Sequence, residues 1–184
     1  DLGHNWYVKQ QYIKLYPVCR WAQPAAEAII SLTRHHDVTA DQITKIKVES
    51  FHEAKRLNVI PTNTEQAQYS LPFSVAVALI HGTINVSHIT ANGLTDKDAL
   101  NLSKLVEISE TDEFNSAFPA QRFARVHLVL KDGKILSSDK TEAQGDPENK
   151  VSDTLIWDKF RFLTTPVLGD KWANSFLEKA QNLP

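Results

Sequence analysis

Apolar and polar residues change period several times along the chain, and each change marks an element. Ile46, Val48 and Ser50 alternate with Lys45, Lys47 and Glu49, which predicts a half-buried strand. Leu71 to His81 is almost wholly apolar, with Ser70 placed to cap it, Pro72 in its first turn and Gly82 to end it. A helix apolar on all sides belongs at the centre of a domain. Upstream, Ala25, Ala28, Ile29 and Leu32 recur at spacings of three and four, so a helix runs from Pro24 to about His36. Residues 6–16 mix Trp6, Tyr7, Val8, Tyr12, Ile13 and Tyr16 with Lys and Gln, which predicts extended chain ending at Pro17.

The polar stretch Glu53 to Gln66, which contains Pro61, reads as a loop. Thr95 and Asp96 can start a short helix to about Leu102, and a strand follows around Leu105 to Ile108. Phe123 to Leu130 and Ile135 to Lys140 flank Lys131-Asp132-Gly133-Lys134, a hairpin about a tight Asp-Gly turn. After the Gly145/Pro147 loop, two amphipathic helices are expected at about Ser152 to Leu163 and Asp170 to Asn182, with Trp157, Phe160, Trp172 and Phe176 among their apolar positions. This order predicts an α+β fold, with an antiparallel or mixed sheet packed with helices and two C-terminal helices after it. The aromatic faces of that last pair have no place on the sheet.

Composition narrows the picture. The chain has 184 residues, 42% hydrophobic and 23% charged, the profile of a globular protein. A net charge of -2 gives no electrostatic reason to expect nucleic acid or an anionic membrane as partner. No apolar run approaches the ~20 residues of a membrane helix. The start has neither a basic nor an apolar leader region, so a cytoplasmic location is expected. Cys19 is the single cysteine, which excludes an intrachain disulfide and fits a reducing compartment. The chain begins with Asp1 and holds no Met, which reads as a piece of a longer protein.

Four segments together carry a family resemblance: Lys14-Leu15-Tyr16-Pro17-Val18-Cys19-Arg20 running into Pro24, then Glu65 through Gly82 with Gln68-Tyr69-Ser70-Leu71-Pro72-Phe73 at its centre, then Arg125 to Gly133, then Lys159-Phe160. In order and spacing they resemble the C-terminal part of the 2-methylcitrate dehydratase (MmgE/PrpD) family. The resemblance implies a two-part enzyme. Residues 1–145 would be an α+β lid-like domain, and residues 146–184 would return to a helical domain supplied by an N-terminal half. It also implies a cofactor-independent lyase of propionate catabolism or a related route, commonly dimeric, acting on a small polycarboxylate. Cis-aconitate decarboxylases and epimerases of the same family are alternatives. One departure is Gln23, where many relatives place a His.

Without a cofactor, Lys, Arg, His and Tyr must hold carboxylates and move protons. Lys14 is the first candidate, as a carboxylate-binding cation or proton donor, against the alternative of an exposed strand lysine. Tyr69 is the second, as a hydrogen-bond donor or acid, against a packed aromatic. Ser70, Cys19 and Arg20 are candidates for substrate binding. Their alternatives are a helix cap, a buried structural thiol, and an arginine paired with a neighbouring Asp or Glu. No metal is expected. His35 and His36 point about 100° apart on a helix, and His81 and His88 flank Gly82 with no Cys or acidic partner at ligand spacing. His4, His52 and His127 read as surface or sheet residues. A half enzyme should turn over little on its own. The competing reading is a non-catalytic binding or dimerisation domain, for which the C-terminal aromatic faces are the motive.

Overall fold

The structure, a computed structural model, describes residues 3–182. They fall into two compact units: Tyr16–Ala143 form one, and the described residues of 1–15 and 144–184 form the other.

In the first unit, α1 (Gln23–His35) begins where Pro24 fits the first turn and buries Ala25, Ala28, Ile29 and Leu32. Strand β1 (Ile43–Ser50) buries Ile43, Ile46, Val48 and Ser50. Two short helical pieces then occupy the stretch expected to be a loop: a 3-10 segment at His52–Leu57 and α2 (Thr64–Gln68). Asn63 starts α2 by accepting a hydrogen bond from the Gln66 N–H at 2.9 Å. Ala54, Leu57 and Ala67 are the buried residues that tie these pieces to the core. The polar composition concealed them because each turn buries only one or two side chains.

Helix α3 (Leu71–His81) is buried from Leu71 through Leu79. Ser70 caps its start and Gly82, in the left-handed conformation, ends it. Helix α4 (Val86–Ile89) and α5 (Lys97–Ser103) follow, then β2 (Val106–Glu110), α6 (Asp112–Ala117), β3 (Phe123–Leu130), β4 (Ile135–Ser137) and β5 (Thr141–Glu142). Helix α6 was not expected, although Thr111 capping it through the Phe114 N–H and the acids Asp112 and Glu113 in its first turn are ordinary start signals.

The sheet is mixed, in the order β2-β1-β3-β4, with β5 pairing β3. Strands β1 and β2 are parallel, joined by the long crossover that contains α2 to α5. β3 is antiparallel to β1 and to β4. The hairpin closes as expected, with Val129 opposite Ile135 and Gly133 at φ +85°, a conformation glycine adopts without strain. Its return strand is shorter than predicted and breaks after Ser137, so that Thr141–Glu142 pair with Phe123 and Ala124 separately. Helix α1 packs on β3 and on α3, and α3 packs on α5. Ala124, Val126 and Leu128 of β3 face this core. On the opposite face Arg125 pairs with Glu49 at 2.9 Å and Lys45 with Glu107 at 2.8 Å. Thus one sheet face is dry and the other charged.

In the second unit the segment expected to be extended holds a 3-10 turn at Tyr7–Gln10 and no strand. Its aromatic and β-branched residues suit a strand, but among the described residues no strand pairs with it. Helix α7 (Asp153–Leu168) runs past its expected end at Leu163 and carries Pro166 inside its last turn. Helix α8 (Asp170–Gln181) packs back on it: Phe160 stacks on Phe176 at 5.2 Å, and Trp172 stacks on Phe176 at 5.3 Å.

Candidate functional site

Two of the sequence segments meet in the first unit. The Cys19 N–H donates to the Gln68 carbonyl at 2.7 Å, which joins the Tyr16–Arg20 turn to the residue before Tyr69. The turn itself is held from within by Gln23, which is wholly buried. Its amide nitrogen donates to the carbonyls of Tyr16 at 3.2 Å and Val18 at 3.1 Å, while its oxygen accepts from Arg20 Nη1 at 3.1 Å. A glutamine can donate twice and accept in one place, and a neutral histidine ring cannot. The departure from the family pattern therefore has a local structural use.

Arg20 is buried, with Nη2 donating to the Ala143 carbonyl at 2.9 Å besides the contact with Gln23. Two of its partners are thus the Gln23 amide and a backbone carbonyl. Cys19 is a free thiol, partly buried against the core. Ser70 is buried, donating from its hydroxyl to the Val59 carbonyl at 2.5 Å and accepting from the Phe73 N–H at 3.0 Å. The second of these is the bond of a helix cap. Tyr69 differs from all of these, since it lies 54% exposed at the C-terminal end of α2, immediately before α3. Tyr16 sits at the start of the turn, and its phenol is pushed up to about 12 by burial, with Glu27 adding and Arg34 opposing. It stays neutral and is a poor acid near neutral pH.

Lys14 belongs to the second unit. It is exposed, and its backbone carbonyl accepts a hydrogen bond from the Lys159 ammonium of α7. One residue earlier, the Ile13 N–H donates to the Gly145 carbonyl at 2.9 Å. Lys159 stands in the last of the four segments that carry the resemblance. Its approach to Lys14 spans 145 positions and leaves no local signal in the sequence.

A second cluster was also not foreseen. His81 and His88 stack at 4.3 Å, and His81 Nε2 lies 3.1 Å from Asp96 Oδ2. Asp96 is the acidic partner that the spacing did not suggest, brought in by the turn between α3 and α5. The rings lie face to face instead of converging on one point. Burial first, and His81 second, hold His88 below the usual histidine range. For Asp96, burial pushes the carboxyl up, but the Ala99 N–H, the His81 side chain and the Asp98 N–H outweigh it and hold it down.

Comparison with curated proteins returns no match. The profile of the MmgE/PrpD C-terminal domain matches residues 16–183, starting at Tyr16 in the Cys19 turn and running past both C-terminal helices, with Lys14 just outside it. A match over nearly the whole chain, on a mixed-sheet α+β fold with two helices after it, establishes that the chain belongs to the MmgE/PrpD family.

Proposed function

We propose that the chain is the C-terminal part of a cofactor-independent lyase that removes water from a small polycarboxylic acid, as 2-methylcitrate dehydratase does. The family match carries the reading. Tyr69, exposed and next to the residue hydrogen-bonded to the Cys19 turn, gives it a chemical focus. In this reading a base takes the proton on the carbon beside a carboxylate, and the electrons of that C–H bond form the alkene. The C–O bond on the adjacent carbon breaks, and the hydroxyl leaves as water with a donated proton. Tyr69 is the donor and Lys14 holds a carboxylate. Cys19 lines the site, while Arg20 and Ser70 shape the turn and the helix start that present Tyr69. The base is assigned to an N-terminal helical domain, which residues 146–184 would join and without which residues 1–145 form a lid alone.

The test is appearance of the alkene from 2-methylcitrate. Activity is expected when this chain is joined to such a helical domain, and little or none from the chain alone. Tyr69→Phe should lower kcat by about a hundredfold, the scale of a lost proton donor. Robust turnover by the isolated chain, or a kcat unchanged in Tyr69→Phe, sinks the assignment. The decarboxylase and epimerase members begin with similar proton handling, so cis-aconitate and an epimerisable amino dicarboxylate belong in the same assay.

One observation favours a second reading, a binding or dimerisation domain. Phe162, Trp172 and Phe176 are about half exposed on α7 and α8. Sedimentation decides it: a monomer at high concentration with no binding of a hydrophobic dye removes that reading.

A further inference from the structure

Residues 11–14 have no regular secondary structure, yet the second unit pins them at two successive positions. The Gly145 carbonyl takes the Ile13 N–H, and the Lys159 ammonium takes the Lys14 carbonyl. Gly145 sits at φ +110°, and a Cβ there would lie 2.0 Å from the Ile13 carbonyl oxygen, so only glycine lets the two backbones meet. These contacts aim Lys14 from a fixed backbone, although its side chain is exposed.

They also set the Lys159 ammonium on the backbone of Lys14, the residue that carries the second amine. Lys159 is half-buried, and burial first and the neighbouring Lys14 ammonium second hold it below an ordinary lysine. Among the described residues neither amine is paired with a carboxylate, and Asp158, the acid beside Lys159, is turned to Arg161 at 3.6 Å. Two cations within reach of one another and without a counter-ion repel, and burial strengthens the repulsion. An anion between them reverses its sign. An ammonium has three donors, and Lys159 uses one on the Lys14 carbonyl, so two remain for that anion.

We propose that Lys14 and Lys159 form a two-lysine clamp for a carboxylate, in which Lys159 also positions Lys14 by holding its backbone carbonyl. The choice of a carboxylate as the anion rests on the polycarboxylate-lyase reading, whereas the clamp itself rests on the contacts above.

The experiment titrates the full chain with tricarballylate, a tricarboxylate with no hydroxyl to eliminate, at constant ionic strength. Isotope-labelled lysine is observed by NMR at the ε-methylene groups, assigned by single substitution. The Lys14 and Lys159 resonances should move together along one isotherm. Lys159→Met keeps the apolar stem and should weaken binding by about tenfold, while Lys159→Arg, which keeps the charge and a donor, should stay within about threefold of wild type. Gly145→Ala keeps both amines but forces Ile13 away, and it should weaken binding as well. If Lys159→Met does not fold, the wild-type titration still decides. A response at Lys14 alone, or wild-type affinity in Lys159→Met, overturns the clamp and leaves the polycarboxylate reading standing. Wild-type affinity in Gly145→Ala overturns the pinning of Lys14. No response at either lysine overturns both the clamp and the assignment of Lys14 to a carboxylate.

Discussion

The amide of Gln23 makes three hydrogen bonds without reaching solvent, to two carbonyls of the Tyr16–Val18 turn and from Arg20. Gln23→Ala removes all three, at about 1 kcal/mol each, and leaves buried carbonyls and a guanidinium donor without that partner. The expected loss is about 3 kcal/mol in urea unfolding, with Tyr69→Phe, on an exposed residue, within about 0.5 kcal/mol of wild type as the control. A loss below about 1 kcal/mol would mean that water or the backbone replaces the amide, and the turn would not need it. Single residues differed in how far they could be read in advance. Ser70 as a cap is local information, because its acceptor role follows from Leu-Pro-Phe coming next, whereas its donation to Val59 is set by tertiary packing. Gln23 was visible only as a departure from a pattern, since its use depends on a turn closed by tertiary packing. Lys159 was legible as part of a motif and not as a neighbour of Lys14.

At the scale of elements, the corner between α3 and α5 is held by side chains that titrate. Asp96 accepts from the Asp98 and Ala99 N–H groups at 3.0 and 3.1 Å, capping α5, and also pairs with His81 at the end of α3. His88 accepts from the Asn85 N–H through Nδ1 at 3.1 Å, which closes the cap of α4, and stacks on His81. Protonating His88 removes that acceptor and sets a cation against His81, opposed by Asp96 and by a hydrogen bond with the Thr83 backbone. The sign follows from His88 lying below its ordinary value of 6.5 in the fold. Between the two values the unfolded chain binds the extra proton, so stability rises with pH across this window. The contribution is complete above about pH 6.5 and is lost as the pH falls below it. Wild type should therefore lose urea resistance between about pH 7 and pH 5 more steeply than His88→Gln. Parallel slopes for the two proteins would show that this corner is indifferent to the proton. The helices of the corner were readable because Ser70, Asp96 and Gly82 punctuate them, whereas the histidine pair was not, because stacking across a turn has no sequence period.

At the scale of the molecule, the fold class followed from the order of elements, and the sheet's connectivity did not. The hairpin of β3 and β4 announces itself through Asp132-Gly133, but the parallel pairing of Ile46 with Val106 joins strands some sixty residues apart, and it goes with the packing of α1 on β3 and of α3 on α1 and α5, which no local pattern states. The buried cluster that results runs from Val18 to Leu136 and lies within Tyr16–Ala143, while Ala173 and Leu177 of α8 are buried outside that cluster. Even the bond that Arg20 makes to Ala143 stays inside those limits. A core confined in this way should not need the rest of the chain in order to cooperate. Residues 16–143 made alone should keep their far-ultraviolet helix and sheet signal and unfold in a single urea transition, with a midpoint within about 1 M of that of the same unit in the full chain. A shallow transition together with binding of a hydrophobic dye would show instead that the C-terminal helices complete the core. The boundary between the sheet unit and the helices after it would then be one of sequence and not of stability.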